Sequence, residues 1–305
     1  MAFAVPVTTV CVFVFLLELM PGIFSNVFII RTILMNNSRT RDMKVIGNLL
    51  LVLAICTLCY SCMVVINMFT LFLNDWIYVF HYLFYTVRFL LIYTTSSTCW
   101  FSSCLCFFYF VKIVNIGSDV FMCIQMNINK VISWMMVVSA LVSAVSSSLY
   151  IVELTKQFGR NTSATIINND REHVENQRIN PNLFYLINCA PVFIMVVTTV
   201  STVITLIKHR QKVSSNWATS TGINMSIYSS AICTMVYFVV SYSLLAVILV
   251  LYSLSIFDIQ HPAYWVLWAF VYFIPVSQSG FIIYGTSHLK KALLQMLYSV
   301  KCNGL

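Results

Sequence analysis

Charge is scarce in this chain. Of its 305 residues only 9% are Asp, Glu, Lys or Arg, while 60% are hydrophobic. A soluble domain carries about 25% charged and about 45–50% apolar residues, so a soluble globular fold is excluded and repeated passage through a bilayer is implied. Glycine and proline are also few, 8 and 6 respectively, and no low-complexity segment or internal repeat occurs. The Gly-rich phosphate loop, the Gly-x-Ser-x-Gly elbow and the His-Glu-x-x-His pair are all missing. His81, His173, His209, His261 and His288 are scattered over loops and span ends on both sides of the membrane, where they cannot converge on a metal. The last span has no lysine, which excludes a retinal Schiff base there. Neither catalysis, a cofactor, a metal nor a nucleic-acid partner is therefore expected, despite a formal net charge of +8.

Cysteine is plentiful at 11, yet the polar stretch from Glu153 to Asn182 contains none, and most of the thiols sit inside apolar runs. They read as small apolar fillers, with no disulfide framework expected. The first apolar run lacks a basic residue before it and contains Glu18. An uncleaved first span is the better reading than a signal peptide.

With about 20 residues needed per crossing, seven runs emerge at residues 7–30, 45–71, 79–110, 131–152, 183–207, 226–254 and 263–285, followed by a tail at 286–305. In lipid every backbone polar group must be satisfied internally, so such runs form helices. The expected fold class is an all-α membrane protein, a seven-transmembrane helix bundle forming one domain over 1–305. The third run is long enough to hold an extracellular turn as well as its helix. Basic residues decide the orientation. Arg31, Arg39, Arg41, Lys44, Lys112, Lys130, Lys208, Arg210, Lys212, Lys290, Lys291 and Lys301 fall on one side, while Lys156, Arg160, Arg171 and Arg178 fall on the other, diluted by acids. The richer side faces the cytoplasm, which puts the N-terminus outside and the C-terminus inside a plasma-membrane, multi-pass protein. Asn161-Thr162-Ser163, in the loop after the fourth span, then becomes a usable N-glycosylation acceptor, and Asn36-Asn37-Ser38 does not.

Ionisable groups at membrane depth are costly and therefore candidate functional residues. Glu18 in span one and Arg88 in the outer part of span three qualify. Arg88 either lines an outward cavity or snorkels to the interface as an anchor. Trp265, Trp268 and Tyr272 follow helical spacing in outer span seven and line a pocket or form an interfacial belt. Tyr237 and Tyr242 face the bundle or merely pack. At the inner ends, Lys208-His209-Arg210-Gln211-Lys212 and Ser287-His288-Leu289-Lys290-Lys291 anchor against anionic lipid or dock an intracellular partner. Apolar residues at 293, 294 and 297 suit a short amphipathic helix on the inner leaflet.

The chain resembles the type 2 (bitter) taste receptors, which are seven-helix G-protein-coupled receptors. Glu18, Pro21, Gly22, Asn26 and Phe28 match the span-one series, and Leu53-Ala54 opens the span-two motif. Trp100 and Phe108-Tyr109-Phe110-Val111-Lys112-Ile113 match span three; Pro191 and Thr205-Leu206-Ile207-Lys208-His209 match span five. Phe238 and Tyr242 match span six, and Pro275, Ser279, Ile282, Ile283, Gly285, Leu289 and Lys290 match span seven. The sequence differs from the family at Thr57, Cys233 and Gln278, which replace an arginine, a lysine and a histidine, and the ligand-contacting tryptophan and asparagine of span three become Leu91 and Thr95. The resemblance implies a ligand pocket containing Arg88, Leu91, Thr95, Tyr242, Trp265 and Trp268, entered between spans three, five, six and seven by a small, mostly apolar agonist. It implies a gustducin-like heterotrimeric G protein facing Tyr109, Lys112, His209, Lys212 and Lys290, with homo-oligomerisation left open. Vomeronasal type 1 pheromone receptors share the architecture, but the span-one series and the Tyr-Phe-Val-Lys-Ile ending argue against them. A transporter or channel would demand a polar path through the whole bundle.

Overall fold

The computed structural model describes residues 4–35, 41–72, 81–114, 118–167, 182–215, 222–253 and 262–303, with side chains described at 17–35, 44–67, 82–114, 118–156, 186–208, 229–251, 263 and 266–298. These residues form nine helices and no strand: α1 (Ala4–Met35), α2 (Arg41–Phe72), α3 (His81–Ile113), α4 (Asp119–Met126), α5 (Ile128–Ile167), α6 (Asn182–Ser215), α7 (Gly222–Ser253), α8 (Pro262–Gly285) and α9 (Ser287–Asn303). The seven long ones are α1–α3 and α5–α8, and they follow the seven apolar runs in order. Even the shortest of them, α8 with 24 residues, reaches the thickness of the hydrocarbon core, since about 20 residues suffice.

Helices overrun the apolar runs because a helix does not stop where the lipid does. α5 continues to Ile167, so Asn161 lies on helical backbone and not in a loop, its side chain outside those described. α4 has no counterpart among the expected spans. It is started by Ser118, whose hydroxyl accepts from Phe121 N–H at 3.3 Å, satisfying an otherwise orphaned first-turn donor. Phe121 then packs edge-on against Phe110 at 5.8 Å between centroids, holding α4 against the end of α3. α9 is longer than the expected 290–297 segment; it buries Leu289 and leaves Leu294, Met296, Leu297 and Tyr298 exposed.

Six helices are long and apolar enough to cross a membrane by length and composition, and α3 is the long helix that is not among them. Thr94, Ser96, Ser97, Thr98, Ser102 and Ser103 are all buried along its middle. Four of these hydroxyls are tolerated because they bond back to carbonyls of the preceding turn: Thr94 to Leu90 at 2.8 Å, Thr98 to Thr95 at 2.8 Å, Ser102 to Thr98 at 2.6 Å and Ser103 to Trp100 at 2.7 Å. Ser96 bonds neighbouring helices, and Ser97 Oγ has no hydrogen-bond partner among the described residues. α3 packs against α2, α5 and α6, so it has little contact with lipid and no need for an apolar surface. The main core runs along it, through Phe101, Leu105, Phe108 and Val111, to Leu53 of α2, Ile132 of α5, Met195 of α6, Phe238 of α7 and Ile282 of α8.

Two close approaches fix the helices beside α8. A Cβ at Gly22 would run into the Val276 side chain, and one at Gly285 would run into Thr234 Oγ1. Glycine therefore lets α1 and α7 each come within backbone distance of α8.

Candidate functional site

Hydrogen-bonding groups in a lipid-embedded bundle have only each other as partners, so the site is best built by following them. Three lie at the bundle centre: Ser102 of α3, Tyr242 of α7 and Gln278 of α8. The Tyr242 hydroxyl donates to Gln278 Oε1 at 2.8 Å, and Gln278 Nε2 donates to Ser102 Oγ at 2.9 Å. Ser102 Oγ also stands 3.3 Å from the Tyr242 hydroxyl, closing the ring. None of the three is more than 2% exposed. Each is a neutral group using its donor or acceptor capacity on the others, the condition under which a buried polar network holds together. It ties α3, α7 and α8 at one level.

Toward the end where α3 and α8 begin (the His81 end), the character changes. Leu91 packs with Leu19 of α1, Tyr60 and Val64 of α2, and Tyr272 and Val276 of α8, with Trp268 half-buried against them. Trp268 stacks on Tyr272 at 5.4 Å and 29°. Leu91 and Trp268 thus belong to one cluster, built by α1, α2, α3 and α8. Thr95, one turn below Leu91, is half-buried and donates its hydroxyl to the Leu91 carbonyl at 2.8 Å. Arg88 is half-buried too, with its guanidinium 5.3 Å from the Phe84 ring centroid and Tyr150 of α5 within electrostatic range. Glu18 Oε2 is buried with no hydrogen-bond partner among the described residues. The side chain of Trp265 lies outside those described. On the α5–α6 side, Ser96 of α3 joins Asn188 of α6 at 2.8 Å and Ser146 of α5 at 3.3 Å.

At the opposite, Lys112 end, Lys112 and Lys290 are exposed. Each ammonium lies over a ring of its own helix region, 5.9 Å from Phe108 and 4.9 Å from Tyr284. Tyr109 is half-buried beside Thr286 of the α8–α9 junction. The side chains of His209 and Lys212 are outside those described. Between this end and the central ring, α7 and α8 are joined by a seam. The Tyr237 hydroxyl bonds Ser277 and donates to the Ile274 carbonyl at 3.2 Å, its ring stacks on Phe281 at 3.7 Å, and Thr234 Oγ1 donates to the Phe281 carbonyl at 3.0 Å.

Sequence reasoning missed Tyr60, Ser102, Ser96 and Asn188. It noted Gln278 only as a departure. One signal was available: Pro275 lacks an N–H, which leaves the Val271 carbonyl without a helical donor and calls for an outside one. Tyr60 supplies it at 3.3 Å.

Among the described residues no three His, Cys, Asp or Glu side chains gather as a metal site. What the arrangement offers is shape, apolar surface and a neutral hydrogen-bond ring. Its backbone superposes on squid rhodopsin with a TM-score of 0.65 at 12% identity, covering 98% of this chain and 87% of that one. The fold is therefore that of the seven-helix receptors. Residues 3–301 match the family described as Taste receptor protein (TAS2R), and the chain belongs to that family. Taste receptor type 2 member 39 of Homo sapiens is 23% identical over 256 residues, 83% of this chain and 75% of the relative. Taste receptor type 2 member 9 of Homo sapiens is 32% identical over a shorter stretch of 130 residues, 43% of this chain and 42% of the relative. The protein is accordingly a multi-pass plasma-membrane receptor and not an enzyme.

Proposed function

We propose that this receptor detects small, mostly apolar molecules of the bitter class and relays their binding to a heterotrimeric G protein of the gustducin type. The N-terminus is outside in this reading, so the His81 end faces the extracellular fluid and Asn161 is available for glycosylation. The agonist meets Arg88, Leu91, Thr95, Trp265 and Trp268 and acts on Tyr242 below them. Tyr109, Lys112, His209, Lys212 and Lys290 face the G protein.

The observation that carries the reading is the buried ring of Ser102, Tyr242 and Gln278. It lies between an aromatic and apolar cluster at one end and a basic rim at the other, and it couples three helices. A ligand that binds one arrangement of those helices better than another shifts the population by that difference in affinity. Few fixed polar groups line the upper cluster, so binding is weak, near micromolar or about −8 kcal/mol.

The test is a calcium or nucleotide-exchange response to a broad panel of bitter compounds in cells expressing the full chain with a gustducin-like α subunit. A response lost in Trp268→Ala at normal surface expression supports the reading. Silence across the panel, with the receptor at the surface, overturns it. An N-terminal tag stained only after permeabilisation would overturn the orientation.

A further inference from the structure

Pro275 sits near the middle of the lipid-crossing part of α8, Val266–Gly285. With no N–H at 275, the Val271 carbonyl one turn earlier receives nothing from its own helix. Water is not available at that depth, and an unsatisfied carbonyl there is costly. The donor comes from another helix: the Tyr60 hydroxyl of α2, 3.3 Å away, on a side chain only 1% exposed. Its neighbours on α2 behave otherwise. Thr57 donates to the Leu53 carbonyl at 2.8 Å and Ser61 to the Thr57 carbonyl at 3.0 Å. Both acceptors already have a helical N–H, so those bonds are supplementary. The Tyr60 bond is not.

We infer that Tyr60 is a positioning residue: it closes the hydrogen-bond gap opened by Pro275 and so fixes the angle at which the two halves of α8 stand against α2. Tyr242 and Tyr272 lie within electrostatic range of its phenol. Gln278 follows Pro275 by less than a turn and bonds Tyr242 and Ser102. The angle α8 takes at Pro275 therefore sets where Gln278 meets α3 and α7. A latch on that angle acts on the central ring without touching it.

The experiment compares purified full-length variants in detergent by thermal unfolding. Tyr60→Phe keeps the ring and removes the donor, lowering the midpoint by about 2–4 °C. Thr57→Val, which leaves its acceptor satisfied, lowers it by less than about 1 °C. Pro275→Ala returns an N–H to the Val271 carbonyl, and in that background Tyr60→Phe adds less than about 1 °C, because the two changes are coupled through one acceptor. Equal losses from Tyr60→Phe and Thr57→Val, or the same loss in both backgrounds, overturn the inference. If Pro275→Ala does not fold, the first pair still decides. Agonist-free nucleotide exchange on a co-expressed heterotrimeric G protein supplies a readout that packing alone would not move. Tyr60→Phe shifts it by about threefold or more, and an unchanged rate with a lowered midpoint overturns the positioning role. That second arm rests on the receptor reading. If the unaltered chain drives no exchange either with or without the bitter panel, the receptor reading fails. Without basal exchange the midpoints alone decide the latch in any case.

Discussion

α3 and α5 differ sharply, although both are long helices of the bundle. α3 carries its hydroxyls in the buried middle, and the exposed large hydrophobics it offers, Tyr82 and Leu83, are confined to its first turn. α5 presents Trp134, Val137, Val138, Leu141, Val145, Leu149 and Val152 outward, a stripe at helical spacing. It turns Ser139, Ser143, Ser146 and Ser147 inward. The difference teaches that apolarity in a membrane bundle follows contact with lipid rather than residence in the membrane. Surrounded by protein, a helix is free to be polar if each polar group finds a partner.

Four substitutions break or sharpen that contrast. The largest effect is expected for Ser102→Leu in α3. It overpacks a fully buried site and strands Gln278 Nε2, costing about 3–5 kcal/mol in all; surface expression and thermal unfolding would register it as loss of the folded receptor. Next comes one substitution made in two places. Gly22→Ala pushes a Cβ into Val276 and costs about 1–3 kcal/mol. Gly280→Ala meets nothing within 4 Å and stabilises by about 0.5–1 kcal/mol through helix propensity. Midpoints moving in opposite directions would support the contrast, and equal losses would remove it. The smallest effect is expected for Leu141→Val on the lipid face of α5, within about 0.5 kcal/mol. A loss there comparable to Gly22→Ala would mean that this face is covered by protein.

Much of the architecture was legible in the sequence, because lipid imposes a length and a composition on every crossing. The seven long helices appear in order. What stayed hidden depends on which residues face one another across the bundle. Gln278 and Ser102 are 176 positions apart, and no periodicity within either helix announces their bond. Tyr60 is one aromatic among many in an apolar run, and only its place opposite the Val271 carbonyl, 211 positions away, distinguishes it. α4 was invisible for another reason. Eight residues are too few for a hydrophobic period to stand out, and its existence depends on the Ser118 cap and on Phe121 finding Phe110. The overrun of α5 past Val152 to Ile167 leaves no trace in hydropathy, which ends with the span.

The seam between α7 and α8 carries a mechanical meaning. Separating the two helices requires losing the Tyr237–Phe281 ring stack, the phenol's hold on Ser277 and the Thr234 bond to Phe281 together, since all fall within two turns of one side. Gly285 lets them sit too close for one to slide past the other. They form a single lever, and α9 hangs from its lower tip.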